Sequence, residues 1–129
     1  MGRMPVDTKA HRILIVEDEA VIAMQLESTL IGLGHSVEAI ATRMDKAVLL
    51  AGAIDIDFAI LDVNVAGLQS FQVADILRRR GISFMFATGY GTAGPRDGYR
   101  DEVTLSKPYG SEALSQALVR AFRAPLIAA

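Results

Sequence analysis

Short apolar runs alternate along the chain with segments in which apolar residues recur every three or four positions. The runs Ile13–Val16 and Phe58–Leu61 are apolar throughout, which is typical of strands buried on both faces of a sheet. Between them Ile22, Leu26 and Leu30 recur at steps of four, which predicts one face of a helix. The same patterns predict further strands at residues 37–40, 84–87 and 103–105, and further helices around Val48, Ile76 and Leu118.

Strands that are spaced by helices in this way predict an α/β fold. We expect a five-stranded parallel sheet covered on both faces, which is a doubly wound, flavodoxin-like (βα)₅ arrangement. The fourth helix is predicted to be irregular, because four glycines and Pro95 lie between Gly89 and Gly98.

The 129 residues are enough for one domain. We place this domain at residues 11–124, after a flexible leader at residues 1–10 and before a short tail at residues 125–129. The leader lacks the apolar core of a signal peptide, and no apolar run approaches the ~18 residues that span a membrane. A net charge of −2 argues against a nucleic-acid-binding surface, and the absence of cysteine fits a reducing cytoplasm.

Chemically active side chains follow the predicted strands. Glu17, Asp18 and Glu19 follow the first strand, and Asp62 ends the third. Thr88 and Lys107 follow the fourth and fifth. Because sites in open α/β sheets form beyond the carboxyl ends of the strands, we expect these residues to meet at one edge.

Each of these residue types suits phosphoryl transfer. Clustered carboxylates repel one another unless a cation lies among them, and Mg²⁺ prefers oxygen ligands. With such an ion present, Asp62 could attack phosphorus and form an acyl phosphate. Lys107 offers a positive charge, and Thr88 a hydroxyl donor, to the phosphoryl oxygens.

The ordered set Val16-Glu17-Asp18-Glu19, Leu61-Asp62-Val63-Asn64, Ala87-Thr88-Gly89 and Lys107-Pro108 resembles the response-regulator receiver domain. The resemblance covers residues 12–122. It implies that Asp62 is the phosphoacceptor and that Thr88 and Lys107 are the switch hydroxyl and the conserved lysine of the family. It also implies a Mg²⁺ or Mn²⁺ site at Asp18, Asp62 and the main-chain carbonyl of Asn64, with Glu17 acting through water. In the family the Lys-Pro bond is cis, which we expect for Lys107-Pro108.

The stretch from Phe84 to Tyr90 is similar to the "FAT GUY" receivers of alphaproteobacteria. That resemblance implies a kinase of the HWE or HisKA2 type as partner and an irregular fourth helix. Thr104 stands where typical receivers carry an aromatic switch residue, a departure that the subgroup shares. Tyr90 is either part of ordinary loop packing or a mobile gate beside the phosphorylation site.

The resulting hypothesis is a single-domain, cytoplasmic response regulator. It accepts a phosphoryl group from a histidine kinase and either binds an unknown downstream protein or acts as a phosphate sink, without binding DNA or a membrane. It is not expected to be an enzyme with an independent substrate. One alternative is an aspartyl-nucleophile phosphatase, but Asn64 stands where such enzymes need a second Asp. The other is a flavodoxin-like flavin-binding module, whose phosphate Glu17, Asp18 and Glu19 would repel.

Other polar residues are predicted to be structural. Asp55 and Asp57 precede the third strand, so ~16 Å of strand separates them from Asp62. His11 and His35 show no companion in the sequence and are interpreted as non-catalytic. The arginines at 78–80 are expected to form a solvated helix end whose charge favours the helix dipole.

Overall fold

A computed structural model describes residues 10–88, 103–107 and 109–123 of the chain. Strands and helices alternate through this part, as the apolar pattern predicts. The strands are β1 (Arg12–Val16), β2 (Ser36–Ala41), β3 (Phe58–Asp62), β4 (Asn64–Val65), β5 (Leu68–Gln69), β6 (Ser83–Thr88) and β7 (Thr104–Ser106). The helices are α1 (Ala20–Gly32), α2 (Met44–Ala53), α3 (Phe71–Arg80) and α4 (Ser111–Arg123).

Five of the strands form one parallel sheet in the order β2-β1-β3-β6-β7. The predicted five-stranded, doubly wound sheet is therefore confirmed. β1 lies between β2 and β3, and β3 pairs with β6, so the chain winds first to one side of β1 and then to the other. This reversal of direction is where open α/β sheets place their sites.

The two faces of the sheet bury two separate cores. Along β1 the side chains alternate: Leu14 and Val16 join the core covered by α2 and α3, whereas Ile13 and Ile15 join the core covered by α1 and α4. Because both faces are covered, every residue of β3 is buried. This explains why the strand is apolar as far as Asp62.

The end of α3 differs in part from expectation. Gly81 follows the helix with φ +74, a left-handed conformation that favours glycine. Arg80, however, is more than a solvated charge, because its guanidinium donates to the main-chain carbonyls of Ala51 (2.5 Å) and Ile54 (3.0 Å). It therefore satisfies carbonyls at the end of α2 and joins the two helices on this face.

The prediction that the two histidines have no companion is wrong. The main-chain N–H of His11 donates to Nδ1 of His35 at 3.0 Å, and the His11 ring lies beside Asp57. Asp55 and Asp57 have the structural role expected of them, since both bind residues at the start of β1.

Several predictions fall on residues outside the described part. They are the leader, the irregular fourth helix, the Tyr90 gate, the peptide bond to Pro108 and the tail. Among the helices of the described residues, none combines the length and the apolar character needed to cross a membrane.

Candidate functional site

Four strands deliver polar side chains to the carboxyl edge of the sheet. Glu17 and Asp18 come directly after β1, and Asp62 is the last residue of β3. Thr88 ends β6, and Lys107 comes directly after β7. Parallel pairing keeps these ends level, since Asp62 is opposite Ala87 and Thr88 is opposite Ser106. The structure thus brings together the acids, the hydroxyl residue and the lysine that the strand ends predict.

Lys107 links the first and third strands across this edge. Its Nζ donates to Oδ2 of Asp62 at 3.0 Å and to Oε1 of Glu17 at 2.5 Å. All three side chains are largely buried. Charge-assisted bonds in such a setting are stronger than those on a wet surface. The ammonium is therefore held against the carboxylate that is predicted to accept phosphate.

Glu17 is the most buried acid of the site, and its two carboxylate oxygens have different partners. Oε1 accepts from Lys107, and Oε2 accepts from the main-chain N–H of Glu19 at 3.1 Å. Burial raises the pKa of Glu17 from an ordinary 4.5 to about 7; the charge of Asp62 adds to this, and the bond to Lys107 opposes it. For Lys107, burial alone would lower the pKa, but the bonds to Glu17 and Asp62 outweigh it, so that pKa is raised.

A small hairpin that follows β3 contacts Asp18 through its main chain. β4 and β5 pair in antiparallel fashion around Ala66 and Gly67, which have φ angles of +51 and +86. The main-chain N–H of Ala66 donates to Oδ2 of Asp18 at 2.9 Å. Hydrophobic periodicity does not predict this hairpin, although Ala-Gly between two short segments is a weak turn signal. It orients Asp18 toward the site.

The acidic cluster fits a divalent cation. Glu17, Asp18 and Asp62 each place a carboxylate oxygen so that the three atoms lie within 4.8 Å of one another. Lys107 contacts two of these carboxylates, so the cluster carries an excess of negative charge when its acids are ionised. Hard oxygen donors and an excess of negative charge suit Mg²⁺. Asn64 lies two residues beyond Asp62 and donates its main-chain N–H to Oδ1 of Asp62 at 3.2 Å.

Thr88 lies at the same edge and is buried. Its main-chain carbonyl accepts from the N–H of Lys107 at 2.8 Å, so the two predicted phosphate-binding residues are joined through the backbone. Thr104 is opposite Phe86 in the sheet and is half-buried. The structure therefore carries a small side chain where typical receivers are expected to carry an aromatic one.

A groove of about 360 Å³ leads away from Lys107 between α1 and α4. Both apolar and polar residues line it. The lining residues from α1 and its start are Glu19, Ile22, Gln25, Leu26 and Thr29, and those on the other side are Tyr109, Gly110, Ser111 and Leu114. Beside it, α1 exposes Val21 and Met24 by 67% and 64%, which leaves this helix apolar on its outer surface as well. The site is thus open on the side of α1.

Known proteins with this fold place the chain in a family. The solution structure of SdrG from Sphingomonas melonis Fr1 is 36% identical and matches with a TM-score of 0.80, over 91% of this chain and 99% of that one. The phyllosphere-induced regulator PhyR of Methylorubrum extorquens is 37% identical over 95 residues, which are 69% of this chain and 34% of that protein. The response regulator PhyR from Brucella abortus matches with 29% identity and a TM-score of 0.74, over 88% of this chain and 48% of its own. A comparison with models of protein families found no match.

Fold and site together define a doubly wound signalling domain with an acidic edge. The chain belongs to the response-regulator receiver domains of two-component signalling. It spans about a third of the length of the Methylorubrum PhyR and 42% of the length of the regulator TcrA of Mycobacterium tuberculosis.

Proposed function

We propose that Asp62 accepts a phosphoryl group from a phosphohistidine of a histidine kinase, and that the phosphorylated domain signals by binding another protein or serves as a phosphate sink. The observation that carries this proposal is the buried carboxylate of Asp62, which is bonded to Lys107 and adjacent to Glu17 and Asp18 at one edge of the sheet. We expect the domain to assist only its own phosphorylation and dephosphorylation and to turn over no independent substrate.

In the proposed reaction an oxygen of Asp62 attacks phosphorus. The bond between phosphorus and the donor imidazole nitrogen breaks, the imidazole leaves with the electron pair, and an acyl phosphate remains on Asp62. Water later hydrolyses this acyl phosphate and regenerates the carboxylate. Lys107 lies 3.0 Å from Asp62 and is placed to bind a phosphoryl oxygen. We assign a second phosphoryl contact to the hydroxyl of Thr88.

The three carboxylates of the acidic cluster support a metal requirement. We assign Mg²⁺ or Mn²⁺ to Asp18, Asp62 and the main-chain carbonyl of Asn64, with Glu17 acting through water. A bound ion would neutralise the repulsion between the incoming phosphoryl group and the acids. Asp18 is the ligand whose removal tests this assignment most directly, because it is not bonded to Lys107.

The partner we propose is a kinase of the HWE or HisKA2 type, with a downstream protein that is still to be identified. The resemblance of Phe84–Tyr90 to the FAT GUY receivers supports this kinase class. We expect a cytoplasmic protein that binds neither DNA nor a membrane, in keeping with a net charge of −2.

Intact mass spectrometry tests the phosphoacceptor. The chain is incubated with Mg²⁺ and either acetyl phosphate or a panel of autophosphorylated histidine kinases, and it should gain the mass of one phosphate. Asp62→Asn should gain none, because an amide is not a nucleophile toward phosphorus. The control Asp75→Asn, which removes an exposed acid on α3, should be phosphorylated as the wild type is. Stable phosphorylation of Asp62→Asn would refute the proposal.

A Mg²⁺ titration followed by NMR tests the metal site. Asp18→Asn keeps an oxygen that can accept from Ala66 but loses the charge, so we expect Mg²⁺ affinity to fall by about tenfold or more. Glu19→Gln is the matched control, because Glu19 is exposed and does not belong to the acidic cluster. Equal affinity in the wild type and in Asp18→Asn would remove Asp18 from the site.

A further inference from the structure

A second group of interacting side chains lies at the amino-terminal end of the sheet, opposite the acidic site. We define the basal cluster as the polar residues His11, His35 and Asp57 together with the aromatic residue Phe122. His11, His35 and Asp57 each come directly before a strand, namely β1, β2 and β3, and Phe122 lies in the last turn of α4. Residues that are far apart in sequence therefore join the beginnings of three strands to the end of a helix. Nothing in the proposed phosphoryl transfer uses them.

His35 holds the start of β1 through an acceptor nitrogen. Its Nδ1 accepts the main-chain N–H of His11 at 3.0 Å. An imidazole nitrogen can accept a hydrogen bond only when it carries no proton. In this arrangement His35 is therefore neutral, with its hydrogen on Nε2. Protonation of Nδ1 would set two donors against each other and break the bond.

His11 has the opposite requirement. Its Nδ1 is 3.1 Å from Oδ1 of Asp57, which also accepts the main-chain N–H of Arg12 at 3.0 Å. An ionised carboxylate only accepts, so Nδ1 of His11 is the donor. A proton added to Nε2 of His11 keeps this bond. The two histidines thus respond differently to acid: the bond of His11 survives protonation, and the bond of His35 does not.

Aromatic stacking connects the histidines to α4. The ring of Phe122 stacks on that of His11, with centroids 3.8 Å apart and an angle of 18° between the planes. Phe122 also meets the buried ring of Phe58 edge-on at 4.4 Å. The position of His11, which His35 helps to hold, therefore contributes to the packing of the last turn of α4 against the sheet, and Phe122 also contacts the ring of His35 directly, with centroids 6.0 Å apart.

The charges around the basal cluster come from several elements. The guanidinium of Arg12 on β1 lies 2.6 Å from a carboxylate oxygen of Asp55, which precedes β3. The negative charge of Glu38 on β2 also attracts this guanidinium. Asp57 accepts from the ring of His11 and from the main-chain N–H of Arg12. The rings of His11 and His35 are 5.5 Å apart, so two protonated rings would repel each other. Acid therefore weakens the cluster both by loss of an acceptor and by charge repulsion.

We propose that the basal cluster is an acid-sensitive clasp: protonation of His35 releases the main-chain N–H of His11 and loosens the last turn of α4 from the sheet. Imidazole ordinarily titrates between pH 5 and 8, so the clasp would respond to mild acidification. The inference depends on the fold and not on the phosphorylation of Asp62. It holds or fails independently of the proposed function.

NMR of the wild-type chain tests the clasp without any substitution. At pH 8 the ¹⁵N shifts of the imidazoles should place the hydrogen of His35 on Nε2. As the pH falls to 5.5, the amide of His11 should lose its hydrogen-bonded shift in step with the protonation of His35, and the ring signals of Phe122 should move with it. A hydrogen on Nδ1 of His35 at pH 8 would overturn the proposal. So would ring signals of Phe122 that do not change while His35 titrates.

The substitution His35→Asn keeps a hydrogen-bond acceptor at position 35 but removes the imidazole that acid can protonate. His35→Asn places an amide oxygen where Nδ1 lies, and this oxygen accepts a hydrogen bond at every pH in the range. The fall in Tm between pH 8 and pH 5.5 should be smaller in His35→Asn than in the wild type by about 3–6 °C. Asp75→Asn, which removes an exposed carboxylate on α3 outside the basal cluster, should keep the wild-type fall. Equal falls in the wild type and in His35→Asn would refute the clasp, and if His35→Asn does not fold, the wild-type titration decides.

Discussion

Glu17 is buried beside two other acids, and its pKa depends on neighbours that lie at the ends of two other strands. Lys107, which follows β7, favours the charged form, whereas burial and the charge of Asp62 on β3 disfavour it. Because the pKa of Glu17 is raised to about 7 in the folded protein, charging it costs folding free energy. The stability linked to the neutral form is fully present below pH 4.5 and is lost as the pH rises through 7.

The upward shift of the Glu17 pKa predicts how the stability of Glu17→Gln, relative to that of the wild type, depends on pH. Glutamine can still accept from Lys107 but never ionises. Without Mg²⁺, the free energy of unfolding of Glu17→Gln minus that of the wild type should increase by up to roughly 3 kcal/mol between pH 4.5 and pH 8. Urea denaturation at a series of pH values in EDTA measures this difference. Glu19→Gln serves as the exposed control, and a Glu17→Gln difference that does not vary with pH would contradict the expectation.

Among the elements of the fold, the β4–β5 hairpin connects the end of β3 to Asp18. Its turn requires positive φ at Ala66 and Gly67, and only glycine adopts such angles without strain. A side-chain carbon at Gly67 would meet no heavy atom within 4 Å, so a substitution there tests backbone conformation alone. The same is true of Gly52, which lies inside α2.

The same glycine-to-alanine change should therefore have opposite effects at these two positions. Gly67→Ala should lower the free energy of unfolding by about 1 kcal/mol, because alanine is strained at φ +86. Gly52→Ala should raise it by about 0.5–1 kcal/mol, because alanine favours a helix. Denaturant unfolding measures both. Gly67→Ala should also weaken Mg²⁺ binding, since Ala66 holds Asp18; stabilisation by Gly67→Ala would show that the turn does not adopt this conformation.

The groove between α1 and α4 begins at Lys107, so a protein that brings a phosphohistidine to Asp62 must lie close to it. The exposed apolar residues of α1 extend this surface and suit contact with an apolar helix of the donor. We therefore expect the phosphodonor protein to contact α1.

Two exposed apolar side chains give a matched test of this contact. Met24 on α1 and Leu49 on α2 are 64% and 65% exposed. Met24→Glu should slow phosphotransfer from the cognate kinase by about fivefold to tenfold, whereas Leu49→Glu should not. Neither change should affect phosphorylation by acetyl phosphate, which needs no protein contact. If Met24→Glu slowed both reactions equally, its effect would lie in the site and not in docking.

At the scale of the whole molecule, Lys107 ties the edge of the sheet together. β7 has three residues and pairs only with β6 among the described strands, yet Lys107 reaches back to the ends of β1 and β3. The contact joins residues 90 positions apart in the chain. Removing a buried cation that is paired with two buried acids should therefore lower the stability of the whole domain.

Lys107→Gln should remove the cation that offsets the burial of Glu17 and Asp62, so that ionising both acids in the buried site becomes less favourable. We expect this variant to lose about 3 kcal/mol of stability in EDTA at pH 8. Saturating Mg²⁺ should recover much of the loss, because a divalent ion supplies the missing positive charge, so Mg²⁺ should raise the Tm of the variant more than that of the wild type. Lys46→Gln, at an exposed position on α2, is the control. The absence of any difference in the Mg²⁺ effect would show that the lysine and the metal do not share the same acids.

The five-stranded sheet, and the polar residues that meet at its carboxyl edge, could be predicted from the sequence alone. Strands buried on both faces must be apolar throughout, so the sequence predicts the strands at Ile13–Val16 and Phe58–Leu61. Parallel strands end at the same edge, and therefore the residues that follow them, Asp62 among them, could be predicted to meet.

Which of these groups touch could not be predicted from the sequence, because the contacts depend on how the strands and helices pack. Glu17 and Lys107, Ala66 and Asp18, and His11 and His35 are pairs whose members lie 90, 48 and 24 residues apart. Periodicity describes the neighbourhood of one residue along its own helix or strand, so it carries no information about such distances. Strand order and register set them, because the sheet must bury two apolar faces at once, and the polar residues at its ends lie where that packing puts them.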